Sequence, residues 1–444
     1  MLGVVKTTAL RDVNYLVVGL GVSGFSAARY LLGAGYRCRV QDTRDIPPYL
    51  SQLRDQFVAL DFQAGALQPD LIDWADVLVV SPGISLRQAE FDLAREQDKE
   101  IIGDVELFAR LVDKPVVAIT GSNGKSTVTS LVGEIVKVSG IAVAVGGNLG
   151  IAALDLLEQD AELLVLELSS YQLESLKSLC PSVAALLNLS EDHLDRYDSY
   201  DDYVAAKRHI YDYADVCISN LDDPATTYSS EDVRFGFSTD AEFHLLEDDG
   251  IWLAHRGEAW LRVDQLKITG RHNWSNCLAA MAITQQLGIS REAIVTGLKQ
   301  FVGIPHRSQW VAEFGGVEWI NDSKATNVGA AQASIEGRDR PVILIAGGQS
   351  KGADMSLMVN ALQRKVKLVL LLGEDASLME QAWRTATRIE RVADMREAVL
   401  RARDEAVSGD CVLLAPACAS FDMYEKFEAR GEDFIRLVAE IQHG

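Results

Sequence analysis

The sequence predicts an α/β protein of three domains, each built around parallel strands, and three observations carry this. The chain has 444 residues, too many for one ordinary domain. Short β-branched runs alternate with amphipathic segments almost throughout, as βαβ units require. Two glycine-rich loops, Gly19–Gly24 and Thr120–Thr127, each fall between an expected strand and an expected helix, in separate parts of the chain.

The first unit reads as strand Tyr15–Val18, a glycine-rich turn, a helix near Phe25–Leu32 and strand Arg37–Gln41. Strand Asp76–Val80 then runs into Ser81-Pro82-Gly83. A new strand, Val116–Thr120, follows Lys114-Pro115, so the first boundary is placed near Gly103. The second region holds strands Leu163–Glu167, Val183–Leu187 and Val216–Ser219. From Val233 to Ile268 short alternating strands with turns such as Asp249-Gly250 and Arg256-Gly257 predict a small antiparallel sheet. Helices follow near Asn273–Leu287 and Arg291–Phe301. Gly303-Ile304-Pro305 breaks the pattern, and strands Val342–Ala346, Leu368–Leu372 and Cys411–Ala415 then alternate with helices again. The expected domains are residues 1–103, Rossmann-like; 104–303, a central P-loop-type α/β domain carrying the small antiparallel sheet; and 304–444, Rossmann-like.

Composition narrows the function classes. The chain is 48% hydrophobic and 24% charged, with a formal net charge of −22. This acidic balance argues against general nucleic-acid binding and against adhesion to an anionic membrane. An anionic substrate must then be held by local Lys, Arg, backbone N–H groups or metal, against the overall field. The six cysteines form no C-x-x-C pair and read as buried thiols in a reducing compartment. The N-terminal stretch lacks a basic segment followed by an unbroken apolar core, and no apolar run approaches a membrane span. The expectation is a cytoplasmic monomer without membrane insertion.

Gly19-Leu20-Gly21-Val22-Ser23-Gly24 fits G-x-G-x-x-G, whose glycines permit a tight turn, close approach of a pyrophosphate and close helix–strand packing. Asp42 ends the next strand, where an acidic residue would meet a ribose. This loop suits NAD(P) or FAD, and a structural turn is the alternative. Asp42-Thr43-Arg44 leaves room for other dinucleotide-like ligands, since Arg44 can pair with phosphate. Thr120-Gly121-Ser122-Asn123-Gly124-Lys125-Ser126-Thr127 is more specific, although Ile119 stands where the usual phosphate loop has its leading glycine. Its N–H groups would cradle phosphates, Lys125 would neutralise them, and the Ser126 hydroxyl would ligate Mg²⁺. A dehydrogenase has no use for the second loop and an NTPase switch none for the first. An enzyme joining a nucleotide-linked substrate to something else at the expense of ATP needs both.

Glu167 ends its strand at the edge where ligands bind in parallel sheets, either as an N-cap-like acid at a strand end or, the reading the strand-end rule favours, as a Mg²⁺ ligand with Ser126. His193 lies just beyond strand Val183–Leu187, either as a surface residue or as part of that site. Lys207, on a helix, reads from chemistry alone as a solvated lysine. His306-Arg307, Asn321–Asn327 and Ser350-Lys351-Gly352 are polar clusters at strand ends, suited together to anionic or zwitterionic groups.

Taken in order, Thr120–Thr127, Gly146-Gly147-Asn148, Leu166–Ser170, Asp192-His193-Leu194-Asp195, His272–Asn276, Pro305-His306-Arg307 and Asn321–Asn327 resemble the Mur ligases. The first domain with Asp42-Thr43-Arg44 looks like that of the L-alanine- or D-glutamate-adding members. Ala415–Asp422 and Phe427–Gly431 resemble the D-glutamate-adding ones, and the Asp-Asn-Pro-Arg segment that reads diaminopimelate is absent. The resemblance implies an ATP-dependent ligase that adds D-glutamate to UDP-N-acetylmuramoyl-L-alanine through an acyl phosphate. It implies that Val22, Ser23, Asp42, Thr43, Arg44, Gly83 and Asn148 hold the UDP substrate. It implies that Gly121, Ser122, Asn123, Gly124, Lys125, Ser126 and Thr127, with Asn276, Arg307 and Asp322, hold ATP. Ser126 and Glu167 would bind one Mg²⁺, and His193 a second, together with a carbamate on Lys207. Thr326, Lys351, Ser420 and Phe427 would hold D-glutamate. The alternatives are the L-alanine-adding activity or, from the first loop alone, an NAD(P)-dependent oxidoreductase.

Overall fold

The computed structural model describes residues 13–190, 196–268, 270–350 and 352–443. His193 and Lys351 therefore lie outside the described residues. The α/β class expected from the sequence holds, with three sheets.

The first sheet is fully parallel. It comprises β1 (Asn14–Val18), β2 (Arg37–Asp42), β3 (Phe62–Ala64), β4 (Val77–Val80) and β5 (Glu100–Ile102), in the order β3-β2-β1-β4-β5. Helix α1 (Val22–Gly33) follows β1. Such a sheet is covered on both faces at its centre, so the central strands β1 and β4 are apolar on both sides, whereas β2 towards the edge keeps Arg37, Arg39 and Gln41. Tyr15 and Val17 face one cluster with Val77 and Val79; Leu16 and Val18 face another with Leu78 and Val80. The strand order reverses between β1 and β4, and a crevice opens at their carboxyl ends.

The second sheet holds β6 (Val116–Thr120), β7 (Val143–Gly147), β8 (Leu163–Glu167), β9 (Val183–Leu186), β10 (Val216–Asn220), β11 (Val233–Phe235), β12 (Phe243–Glu247), β13 (Ile251–His255) and β14 (Glu258–Arg262). Their order is β14-β13-β12-β11-β10-β9-β6-β8-β7. The strands expected as a small antiparallel sheet are continuous with the main one. β11 pairs in parallel with both β10 and β12, and only β12–β14 run antiparallel, as an extension of its edge. Helix α2 (Lys125–Val138) follows β6, α3 (Tyr200–Arg208) precedes β10, and α4 (Arg271–Gln286) follows the meander. Apolar side chains of the first and second sheets, among them Val17, Val40, Ala118 and Leu166, share one core.

The third sheet has the order β15-β16-β20-β17-β18-β19, from β15 (Gln309–Phe314), β16 (Val317–Asn321), β17 (Val342–Gly347), β18 (Val366–Leu372), β19 (Arg388–Arg391) and β20 (Cys411–Leu414). All pair in parallel except β15. The period of two divides its strands between two cores: Leu344, Leu371 and Leu413 on one face, Ile345, Leu370 and Leu414 on the other. Helix α5 (Phe427–His443) packs Phe434, Leu437 and Val438 into the second of these.

Contacts group the chain into two compact units, residues 1–263 with 275–298, and 264–274 with 299–444. The reading of all six cysteines as buried needs correction. None is bonded, and Cys38, Cys277, Cys411 and Cys418 are buried, but Cys217 is half-buried and Cys180 exposed. Cys217 sits at the partly covered start of β10, and Cys180 in the irregular segment before Pro181, its Sγ 3.5 Å from the Ser178 carbonyl. Among the described residues no helix is long and apolar enough to cross a membrane.

Candidate active site

The crevice of the first sheet is a cleft of about 510 Å³ at the ends of β1, β2 and β4. Val22, Ser23, Asp42, Thr43, Arg44 and Gly83 all line it; Asn148 does not. The glycines act as the motif requires. A Cβ on Gly24 would stand 1.8 Å from the Gly19 carbonyl oxygen, so only glycine lets α1 start this close to β1. Asp42 does not stand open to a ribose, as the sequence suggested. Its Oδ2 accepts from the Leu20 N–H at 2.7 Å and from Arg44 Nη2 at 2.7 Å, and its Oδ1 from the Arg44 N–H and Nε. Burial alone would raise this carboxyl, but the Arg44 guanidinium and the two N–H donors outweigh it and hold the pKa at about 2. Asp42 thus ties the glycine loop to Arg44.

The second loop follows β6 and opens α2. Gly124 has φ +80°, and a Cβ there would lie 2.4 Å from Asn276 Oδ1, so glycine lets Asn276 of α4 reach the loop. The segment after β9 clamps the loop from the other side. Asn123 N–H donates to Asn188 Oδ1 at 2.8 Å, Asn188 Nδ2 returns a bond to Asn123 O at 3.0 Å, and Ser190 N–H donates to Ser122 Oγ at 3.0 Å. Lys125 Nζ donates to the Gly121 and Ser122 carbonyls, both at 2.9 Å, which folds it over the loop. Ser126 is buried at the start of α2, and Thr127 is partly exposed beside it.

Glu167, 2% exposed, ends β8, which pairs directly with β6. Its Oε1 accepts from Asn148 Nδ2 at 2.7 Å, so Asn148 belongs to this site in geometry. Its Oε2 is buried with no hydrogen-bond partner among the described residues. A buried carboxylate oxygen without a donor carries a desolvation cost that a hard cation would remove, so Ser126 and Glu167 fit Mg²⁺.

Lys207 corrects the reading of a solvated side chain. It is 2% exposed, and its Nζ donates to the Gly121 carbonyl at 2.9 Å and lies 3.4 Å from Thr120 Oγ1. The Tyr203 ring, one turn earlier on α3, covers it at 5.0 Å, and the Tyr203 hydroxyl meets Ser122 Oγ at 2.7 Å. The helix signal was present: Tyr203, Ala206 and Lys207 are the buried positions of α3, the spacing of one apolar stripe. Arg196 carried no sequence signal. It donates to the Pro82 carbonyl at 2.8 Å and the Ile84 carbonyl at 3.2 Å, bracing the wall of the first cleft, and stacks 3.9 Å from Tyr171.

Arg307, Asp322, Thr326, Ser420 and Phe427 belong to the second compact unit. Asp322 follows β16, and burial pushes its carboxyl up against the opposing bonds from Ser334 and Ser308 and the charges of Arg338 and Arg307. Lys324 Nζ lies 4.1 Å from the Phe427 ring centroid. Ser420 lines a small cavity at the ends of β17 and β20, shared with Gly347, Gly348 and Arg430.

Three family descriptions match the chain in order: Mur ligase MurD-like, N-terminal domain, at residues 13–103; Mur ligase middle domain, at 119–284; and Mur ligase, glutamate ligase domain, at 306–418. The chain is 45% identical over 443 residues to a UDP-N-acetylmuramoylalanine–D-glutamate ligase of Alcanivorax borkumensis, covering 98% of this chain and 99% of that protein. It is 47% identical over 437 residues to the ligase of the same name from Pseudomonas aeruginosa, covering 96% and 98%. Among solved structures, the UDP-N-acetylmuramate-alanine ligase of Thermotoga maritima shares the fold at a TM-score of 0.59 and 18% identity, covering 96% of this chain and 99% of that one.

Proposed function

The chain belongs to the Mur ligase family, and we propose that it joins D-glutamate to UDP-N-acetylmuramoyl-L-alanine at the expense of ATP. The observation that carries the choice of substrates is the 45% identity, over nearly the whole of both chains, to a ligase of that name. The geometry supports it, because one compact unit holds both a cleft suited to a nucleotide diphosphate and a phosphate loop beside an unpaired carboxylate oxygen.

A carboxylate does not condense with an amine unaided, because its oxygen is a poor leaving group. In the proposed route the substrate's L-alanine carboxylate attacks the γ-phosphate of ATP, and ADP leaves. The D-glutamate amine then attacks the acyl carbon of the resulting acyl phosphate, and inorganic phosphate leaves. Residues lining the first cleft, Val22, Ser23, Thr43, Arg44 and Gly83 among them, hold the UDP end, so no nicotinamide is needed there. The loop N–H groups and Lys125 hold the triphosphate and spread its charge. Asn276 steadies the loop, and Arg307 and Asp322 are further proposed ATP-binding residues. Mg²⁺ held by Ser126 and Glu167, with a second ion at His193, would offset the repulsion between carboxylate and triphosphate. Thr326, Lys351, Ser420 and Phe427 would receive D-glutamate.

Lys207 is read as a carbamate. Its neutral amine takes up CO₂ and releases a proton, which turns a cation into an oxygen-bearing anion suited to Mg²⁺. Its burial beside the phosphate loop is what supports this, since a surface lysine would gain nothing by the change. We place the reaction in the cytoplasm, where six unpaired cysteines stay reduced. Phosphate release is the test of the route. It should require ATP, the UDP substrate and the amino acid together, and release from ATP alone at the same rate would reduce the protein to an NTPase.

A further inference from the structure

Arg430 is 3% exposed, yet the acceptors of its guanidinium are all neutral. Nε donates to Ser323 Oγ at 3.0 Å. Nη2 donates to the Ser323 carbonyl at 3.0 Å and the Cys418 carbonyl at 3.1 Å, and Nη1 lies 3.4 Å from the Gly347 carbonyl. Ser323 Oγ in turn donates to the Phe427 carbonyl at 2.8 Å. One side chain therefore ties together the segments that leave β16, β17 and β20 and the start of α5. Carbonyls beyond the ends of parallel strands lack ladder partners and must be satisfied elsewhere. A planar fork of five donors can serve several at once, whereas an ammonium offers three donors from a single point. Burial pushes the guanidinium down to about 10, which leaves it charged at neutral pH.

We propose that Arg430 is the positioning residue of the amino-acid subsite, fixing the loops that carry Thr326, Ser420 and Phe427 relative to one another and placing a buried positive charge beside them for a dicarboxylate. Thr326 lies three residues after Ser323, Ser420 two after Cys418, and Phe427 begins α5. Ser420 and Arg430 line the same small cavity. Asp422 lines the same cavity and offsets part of the Arg430 charge, so the role assigned to Arg430 rests first on fixing the loops. The proposal rests on the reading that Thr326, Ser420 and Phe427 receive D-glutamate.

The test is steady-state kinetics of Arg430→Lys and Ser323→Ala with each of the three substrates varied, alongside thermal unfolding. Arg430→Lys should raise the KM for D-glutamate about tenfold while the KM values for ATP and the UDP substrate stay within about twofold. Ser323→Ala removes the link to Phe427 and should raise the D-glutamate KM by about threefold in the same selective way. Should Arg430→Lys fail to fold, Ser323→Ala decides by the same criterion. A D-glutamate KM unchanged in the folded variants, or three KM values rising together, overturns the proposal. Thr326→Ala and Ser420→Ala separate it from its premise. If neither alters the D-glutamate KM, the subsite lies elsewhere and the proposal falls with it; if they raise it and Arg430→Lys does not, the role of Arg430 alone is wrong.

Discussion

Lys207 shows how a residue's role can be hidden by its type. A lysine on a short polar helix reads as solvated, and only its place on the Tyr203–Ala206 stripe hints otherwise. The structure buries it against the Gly121 carbonyl, where a permanent cation would oppose a metal ion. Lys207→Arg should fold normally and lose activity by at least about a hundredfold, because Arg keeps its charge and cannot carry a carbamate. Full activity of that variant removes the carbamate from the account. Asp42 gives a second residue-scale prediction, in pH. Its carboxyl is held at about 2, below the ordinary 3.8. Because the folded value is the lower one, its contribution is fully present above pH 4–5 and is lost as pH falls towards 2. Because the Arg44 guanidinium is half exposed and screened by solvent, that contribution is about 1 kcal/mol. Acid unfolding monitored by circular dichroism should show Asp42→Asn losing less stability over this window than the parent; equal losses would mean that Asp42 is not the group responsible.

At the scale of elements, both glycine loops were legible because each combines a strand, a special backbone and a helix in a fixed spacing. What the spacing could not show is which atoms the glycines make room for. At Gly24 it is the backbone of Gly19, and at Gly124 the side chain of Asn276, 152 residues further on. Gly24→Ala should therefore destabilise the first compact unit by about 3 kcal/mol, since a backbone oxygen cannot swing aside. An unchanged melting temperature would show that α1 can shift freely. The two loops should also separate by function. Lys125→Ala should abolish ATP-dependent chemistry and leave UDP-substrate binding nearly intact, whereas Arg44→Ala should weaken that binding and spare ATP. Calorimetry showing unchanged substrate affinity in Arg44→Ala would undo the assignment of the first cleft. The antiparallel meander β12–β14 was visible from its turns, but its union with the main sheet depends on β11, three residues that no local pattern marks as parallel.

For the whole molecule, alternating strands and helices announced the α/β class, and the order of motifs announced the family. Long-range partners were not legible. Arg196 braces a loop more than a hundred residues earlier, and Arg430 gathers three strand ends, through carbonyls that every residue possesses and no sequence pattern records. Phosphate release from ATP with UDP-N-acetylmuramoyl-L-alanine and one amino acid at a time decides the identity of the reaction. Release is expected with D-glutamate, and none above background with L-glutamate, L-alanine or diaminopimelate. Turnover with diaminopimelate, or with L-alanine and the unextended UDP-sugar, would contradict it.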